Sequence, residues 1–457
     1  MPLDFINFQS FKDPDARVVF LENQVIRLLH TTYCPIFEEV NASGLWEELL
    51  RKELVLDYQR IEPQIAVPDY PIEILPEQLE VQVLPFEWTE SIWKDCLQTF
   101  LEINLTALSY GFILKDATPY NFCLYQGKMK LVDTSSFTRF HNGDPWLAYR
   151  QFCEELLGPF LLMHYGGHEW SRFMMASIRG LDLRFISKNL PLASWFNLQA
   201  FLHIHLHKYF SNTKQLQKTQ KAPQKVFSMD TLMSTLKSLQ LGVQKTQTKS
   251  KGHWQNYYQE FIHSETYLLE KKEIISQWLG SIPKGSVIDL GANVGEFSIL
   301  ASQMHSRVLA VEFDPTCVEI LYDTLQKNKL KNLYPACADL TQLSPNLGNN
   351  LQEFANFFER GKSDILMALA LVHHLAITYS FSFDQIFQSF KRLGASYVLV
   401  EFIPPSDDKV QVLLQNRGKQ FDSYDQIHFE ESMLRFAEIL EVKEIGDSGR
   451  ILYWGKF

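Results

Sequence analysis

The sequence predicts an α/β protein whose C-terminal part is a Rossmann-like sheet and whose N-terminal part is α+β. Three observations carry this. Residues 287–297 read Val-Ile-Asp-Leu-Gly-Ala-Asn-Val-Gly-Glu-Phe: an apolar strand, a glycine turn and the start of a helix. A second apolar strand, Val308–Val311, ends in Glu312, which lies 21 residues beyond Gly291. From Trp254 onward helices and strands alternate, whereas the first half has hairpins followed by long helical stretches. Strand, glycine turn, helix, strand and carboxylate is the order of a nucleotide-handling half-sheet.

Bulk properties bound the rest. A chain of 457 residues exceeds one ordinary core, so two or three domains are expected. A net charge of −10 argues against a general nucleic-acid binder. The six cysteines are scattered without a Cys-x-x-Cys pair, which reads as free thiols in a reducing, cytoplasmic setting. Met-Pro-Leu-Asp-Phe lacks the basic and apolar regions of a secretory signal. No run reaches the roughly 18 apolar residues a membrane span needs; Leu366–Ile377 is the nearest, and it holds two histidines.

Taken in order, residues 17–28 predict a β-hairpin turning at Glu22-Asn23. Residues 45–57 predict a helix. Residues 62–88, rich in Pro and β-branched side chains, predict short strands and turns, which closes a small α+β lobe at 1–88. A long helix is expected over Thr89–Ser109, with Ile92, Cys96, Phe100, Ile103, Leu105 and Leu108 at helical spacing and Gly111 as its stop. Residues 89–210 form a mostly helical second lobe. Residues 211–252 are rich in Lys, Gln, Ser and Thr with Asp230 as the only acid, a basic polar linker with a short helix around Met229–Leu241. The α/β domain occupies 253–457.

Within the helical lobe, Phe112–Asp133 holds a constellation. Asp116 is followed five residues later by Asn121, then by a short hairpin at Gln126-Gly127, then by Asp133 at the end of an apolar strand. Phosphoryl transfer needs a base beside the acceptor and two magnesium ligands, and these three residues stand in the order of a kinase catalytic loop. Over residues 89–137 the chain resembles the C-lobe of kinase-like folds. That resemblance implies a nucleotide or metal site at Asp116, Asn121 and Asp133, with ATP and Mg as its ligands. Departures accompany it: no glycine precedes Gly44, Lys115 stands before Asp116, and no Phe-Gly follows Asp133. The other readings are a kinase-like shell that binds nothing, or that binds substrate or nucleotide without transfer and so recruits or regulates, and an unrelated fold with a chance match.

In the α/β domain, strands are expected at Ser286–Leu290, Val308–Val311, Leu333–Ala338, from Asp364 through the following apolar run, and at Tyr397–Phe402. The tail 449–455 predicts a last edge strand. Asp289, Glu312, Asp339, His373, His374 and Glu401 then all fall near strand carboxyl ends, the ligand edge of an open sheet. The turn Gly291-Ala-Asn293-Val-Gly295 lacks the middle glycine of a pyrophosphate cradle, which argues for a cofactor without phosphates.

These residues, with the Val-Glu312-Phe313-Asp314-Pro run and Ala-Asp339-Leu340, resemble the class I S-adenosylmethionine-dependent methyltransferases over residues 254–457. The resemblance implies a seven-stranded sheet and S-adenosylmethionine as cofactor. Gly291 and Gly295 would border its methionine, Glu312 would hold its ribose, and Asp339 and Leu340 its adenine, with Phe313 a further cofactor-binding candidate. Asp289 and Asn293 complete the candidate cofactor residues. His373, His374 and Glu401 are the candidates for a base or substrate orienter; packing, capping and a buried structural carboxylate are the alternatives. An Asn/Asp-Pro-Pro-aromatic loop is absent after strand four, so a small-molecule or protein acceptor is favoured over a nucleobase.

Nearly the whole chain is similar to a bacterial family of two-part methyltransferases related to a rhizobial nodulation protein. The expected function is therefore methyl transfer. The rival is a phosphotransferase or nucleotide-binding protein with a regulatory methyltransferase domain. No metal is expected in the α/β domain. His203, His205 and His207 would share a face on a strand and could bind zinc, but their surroundings read as helix, where they splay. Tyr257, Tyr258 and Tyr267 are candidates to roof the cofactor pocket.

Overall fold

A computed structural model describes residues 13–21, 24–65, 67–210, 228–247, 265–415 and 423–457. Tyr257, Tyr258 and the Glu22-Asn23 turn lie outside these. The chain divides into two compact units: Met1–Lys249 with Leu347–Phe354, and Ser250–Asn346 with Ala355–Phe457.

The first unit opens with β1 (Ala16–Leu21) and β2 (Gln24–Leu29), the expected hairpin, paired antiparallel with Ala16 opposite Leu29. With β3 (Tyr58–Ile61) and β4 (Ile72–Pro76) they form a four-stranded sheet in the order β1-β2-β4-β3. Ala16, Leu29, Ile72 and Ile74 pack against Tyr33 and Phe37 from the helix that follows β2. That helix, Cys34–Ala42, was not anticipated; the expected helix at 45–57 is confined to Leu45–Arg51. Glu53 takes positive φ just beyond, ending the helical stretch.

The long helix forms at Glu90–Leu108 with Thr89 as its N-cap residue, and Gly111 follows it at φ +84°. Beyond it come two small ladders. β5 (Phe112–Leu114) pairs with β8 (Phe137–Arg139), and β6 (Phe122–Tyr125) pairs with β7 (Lys128–Leu131) across the Gln126-Gly127 turn. Gln126 and Gly127 both adopt positive φ, the requirement of a two-residue hairpin turn. Short helical pieces fill most of residues 149–210.

The polar stretch after residue 227 behaves differently from a linker. Its helix runs Met229–Lys245, capped by the Ser228 hydroxyl on the Thr231 amide. Leu232, Leu236, Leu239 and Val243, at helical spacing, are fully buried. The helix lies on Glu90–Leu108: Gln98 donates to the Gln240 carbonyl at 3.0 Å, and Gln240 donates to Glu102 at 2.9 Å. A sparse apolar stripe sufficed to bury one face, and the abundance of Lys, Gln and Thr on the other disguised it.

The second unit is a mixed seven-stranded sheet. Its order is β11-β10-β9-β12-β13-β15-β14, from β9 (Ser286–Leu290), β10 (Arg307–Glu312), β11 (Leu333–Cys337), β12 (Ile365–Ala368), β13 (Tyr397–Phe402), β14 (Glu438–Glu444) and β15 (Ile451–Lys456). Only β15 runs against the others, pairing antiparallel with both β13 and β14. The tail strand is thus interior, and β14 forms the edge. β14 alternates Glu and Lys with apolar residues and stays largely exposed, the charged border that keeps a free edge from pairing elsewhere. From β9 the chain steps one way to β10 and β11, then returns to β12 on the other side. The carboxyl ends of β9 and β12 therefore flank a switch point, where open sheets form a crevice.

Candidate functional site in the second unit, and a cleft in the first

At the switch point the turn after β9 and the turn after β12 bound a two-lobed cleft. One lobe is a cavity of about 370 Å³. The other is a cavity of about 490 Å³. Gly291, Asn293, Leu369, Ala370 and His374 line both. Gly291 takes φ +73°, and a Cβ there would meet Leu371 at 3.2 Å, so the bare backbone keeps the passage open. Ala370 opposite it also takes positive φ, 57°, a strained conformation for a residue with a Cβ. β12 ends at Ala368, earlier than its apolar run suggests, because this bend turns the chain into the helical turn His374–Thr378.

The first lobe is lined by Glu312, Phe313, Asp339 and Leu340. Glu312 accepts from the backbone amides of Asn293 at 2.8 Å, Phe313 at 2.7 Å and Asp314 at 2.9 Å. A carboxylate has about four acceptor positions, so one remains for a ligand hydroxyl. Asp339 uses Oδ1 for the Thr341 amide and hydroxyl, and among the described residues no bond engages Oδ2. Phe313 is 49% exposed, an aromatic face open to a planar ring. Asn293, at φ 51°, braces the turn by accepting from the Val294 amide.

The second lobe holds Asp289, His373 and three residues that sequence reasoning did not single out: Lys271, Lys409 and Arg450. Asp289 is buried and accepts from Ser298 at 2.5 Å. Burial raises its pKa to about 6, against the lowering effect of Ser298 and Lys271. His373 is 4% exposed, and its Nδ1 has no hydrogen-bond partner. Burial, then His374 and the nearby cations, push its pKa down to about 2, so the imidazole is neutral. His374 opens onto both lobes with its ring centroid 4.1 Å from that of His373.

Glu401 is fully buried behind this lobe. It accepts from Tyr267 at 2.5 Å through Oε1 and from Lys271 at 2.6 Å through Oε2. Arg450 donates to Tyr267 at 3.2 Å and to Asp407 at 2.9 Å. Burial acts to raise the Glu401 pKa, but Lys271 and Tyr267 outweigh it and hold the carboxylate ionised. Glu401 therefore anchors a buried network rather than lining the cleft. Gly295 also lies outside both lobes. Its φ is +85° and a Cβ would meet Leu321 at 2.2 Å, so glycine there serves helix packing.

The first unit has a separate cleft of about 830 Å³, and it brings Asp116, Asn121 and Asp133 together. Asp133 is saturated by the chain. The Arg27 guanidinium pairs with its Oδ1, Ser135 and Ser136 donate at 2.6 and 2.7 Å, and the Ser135 amide donates at 2.9 Å. Asn121 turns its amide nitrogen toward Asp133 Oδ2 at 3.4 Å, presenting a donor where a metal ligand would present oxygen. These residues do not fit a magnesium ion, since Arg27 already occupies the carboxylate. Among the described residues no group of three or more His, Cys, Asp or Glu side chains is arranged to hold a metal. The histidines of Leu202–Leu206 are engaged otherwise: His203 bonds Tyr149, and buried His205 bonds Ser187 and Ser194.

No protein-family model matches the chain. The expected similarity to a rhizobial nodulation protein is found. Nodulation protein NoeA of Rhizobium meliloti (strain 1021) is 25% identical over 467 residues, covering 97% of this chain and 94% of that protein. Among solved structures, the PH0226 protein of Pyrococcus horikoshii OT3 is similar at 14% identity and TM-score 0.32, over 44% of this chain and 97% of that one. The N-methyltransferase NodS of Bradyrhizobium japonicum WM9 is similar at 9% identity and TM-score 0.31, over 43% of this chain and 98% of that one. Among the described residues no helix is long and apolar enough to cross a membrane.

Proposed function

We propose that the second unit is an S-adenosylmethionine-dependent methyltransferase acting on a small-molecule or protein acceptor, and that the first unit recruits substrate or regulates. The observation that carries this is the two-lobed cleft at the switch point, pinched between Gly291 and Ala370. An adenosyl group suits the first lobe: Asp339 Oδ2 is open to an exocyclic amine, Glu312 to a ribose hydroxyl, and Phe313 to a ring face. The methionine end suits the passage at Gly291, where no side chain intervenes and the Asp289 carboxyl stands behind.

When bound, the cofactor supplies a methyl group already activated by a sulfonium charge. The chain's task is then alignment and, for some acceptors, removal of a proton. In this reading His373 Nδ1 accepts a hydrogen bond from the acceptor's N–H or O–H and orients its lone pair. A pKa near 2 makes it a weak base, so orientation is its stronger contribution. His374 lies beside it, and Glu401 supports the wall through Lys271. Six free cysteines accord with a cytoplasmic location. Phosphotransfer by the first unit is not favoured, given the saturation of Asp133.

Calorimetric titration of the full chain with S-adenosylmethionine tests the reading. Saturable one-site binding that disappears in Gly291→Arg supports it. Absence of binding by the wild-type chain, or binding untouched by Gly291→Arg, overturns it.

A further inference from the structure

The cleft of the first unit contains an imbalance that the methyltransferase reading leaves unused. Of its three cations, Arg27 is engaged with Asp133 and Lys115 with Asp13 and Asp15, while the exposed Arg179 makes no ion pair among the described residues. Asp116 and Glu155 also line the cleft, and among the described residues neither has a cation within ion-pair distance. Asp116 makes no hydrogen bond at all in that set, and Glu155 accepts only from neutral groups, the Thr118 side chain and Gln151 at 3.1 Å. A partly buried carboxylate with no donor is costly unless something outside the chain supplies one. The Tyr120 hydroxyl, on the same wall, is a buried polar atom without a partner. Its oxygen offers a further acceptor to whatever enters.

The charge pattern selects the ligand class. A nucleotide brings several phosphate charges, which need metal or free cations: Arg27 excludes the metal from Asp133, the exposed Arg179 is a single uncommitted cation, and the acids Asp13, Asp15, Asp116, Asp133, Glu155 and Glu353 that line the cleft outnumber its cations and repel anions. A protonated amine satisfies both carboxylates and the tyrosine oxygen with its N–H donors. We propose that this cleft is a magnesium-independent binding site for a small organic cation, held by Asp116 and Glu155, with Arg27 standing where a magnesium ion would otherwise sit on Asp133. Binding needs no covalent step.

The test is calorimetry on the full chain with 1,4-diaminobutane, spermidine, agmatine and MgATP as separate probes. At least one amine should saturate a single site, with MgATP giving no heat. Asp116→Asn should weaken that amine at least tenfold, and Glu155→Gln should do the same. Because Asp116 has no hydrogen-bonding partner among the described residues, its asparagine variant should melt no lower than wild type, which separates loss of binding from loss of fold. The proposal is overturned if no amine binds, if the amine binds Asp116→Asn equally well, or if MgATP binds in a manner that requires Asp133. S-adenosylmethionine binding should be unchanged in both variants, so this result and the methyltransferase test fail independently.

Discussion

The two clefts treat their carboxylates in opposite ways. In the second unit the two acids of the first lobe are partly engaged by the chain and partly left open: Glu312 takes three backbone amides, and Asp339 takes two donors on one oxygen. In the first unit two aspartates stand at the extremes. Asp133 is saturated by Arg27 and two serines, whereas Asp116 has no donor among the described residues. Half-satisfied carboxylates are already oriented and lose little freedom when a ligand completes them. A saturated one is structural, and an unsatisfied one is held at the expense of stability until a ligand arrives. The difference separates a cleft whose acids are oriented and still open from a cleft in which one carboxylate is closed by Arg27 and another is open.

Four changes would break or sharpen this contrast, from largest to smallest. Gly291→Arg places a long side chain in the passage between the lobes and should abolish S-adenosylmethionine binding by calorimetry. A residual affinity within tenfold of wild type would mean the lobes are not one cleft. Lys271→Met strips the buried Glu401 of the nearer of its two cations, at 2.6 Å, and leaves Arg450 at 3.9 Å. Breaking such a pair costs about 3–5 kcal/mol, so the urea midpoint of the second unit should fall sharply. An unchanged midpoint would show that Tyr267 and Arg450 suffice.

The third change has the opposite sign. The folded Asp289 pKa is raised to about 6 from 3.8, so the fold favours the protonated form. That stabilising preference is present at low pH and is lost as pH rises from 3.8 toward 6, leaving a penalty above that. A shift of this size is on the order of 3 kcal/mol. Asp289→Asn should therefore be more stable than wild type at pH 7, with the difference closing below pH 4, measured by denaturation at each pH. Equal stability at pH 7 would mean that the Ser298 hydrogen bond compensates the burial. Last, Glu312→Gln keeps the shape but weakens the acceptor toward a ribose hydroxyl. About 1.4 kcal/mol, or tenfold in Kd, is expected by titration. No change would remove Glu312 from the cofactor site.

The parallel strands β9 to β13 were legible because each centres on an apolar run between turn residues, as at Ser286–Leu290 and Tyr397–Phe402, whereas the charged, alternating β14 (Glu438–Glu444) was not anticipated. The carboxylates at their ends were legible for the same reason. Ala370 was not, since nothing in Leu-Met-Ala-Leu-Ala-Leu-Val announces a left-handed residue, and so the strand was read too long. Lys271, Tyr267 and Arg450 come together from segments more than 100 residues apart, and Tyr267 and Glu401 are 134 apart in the chain. Local patterns carry no information about such a network. In the first unit the order Asp116, Asn121, Asp133 was visible, but Arg27, 106 residues before Asp133, gave no sign of the position it would take.

The helix Met229–Lys245 has a consequence for how the protein is made. Its partner, Glu90–Leu108, presents a face that only this later segment covers, and Gln98 meets Gln240 across 142 residues. During synthesis at roughly 5–20 residues per second, the apolar face for Leu232, Leu236 and Leu239 stays open for several seconds after its own helix has left the ribosome. The first unit thus closes late, and a cut made at residue 210, where the sequence first turns polar, would leave that face without its cover and the fragment prone to self-association.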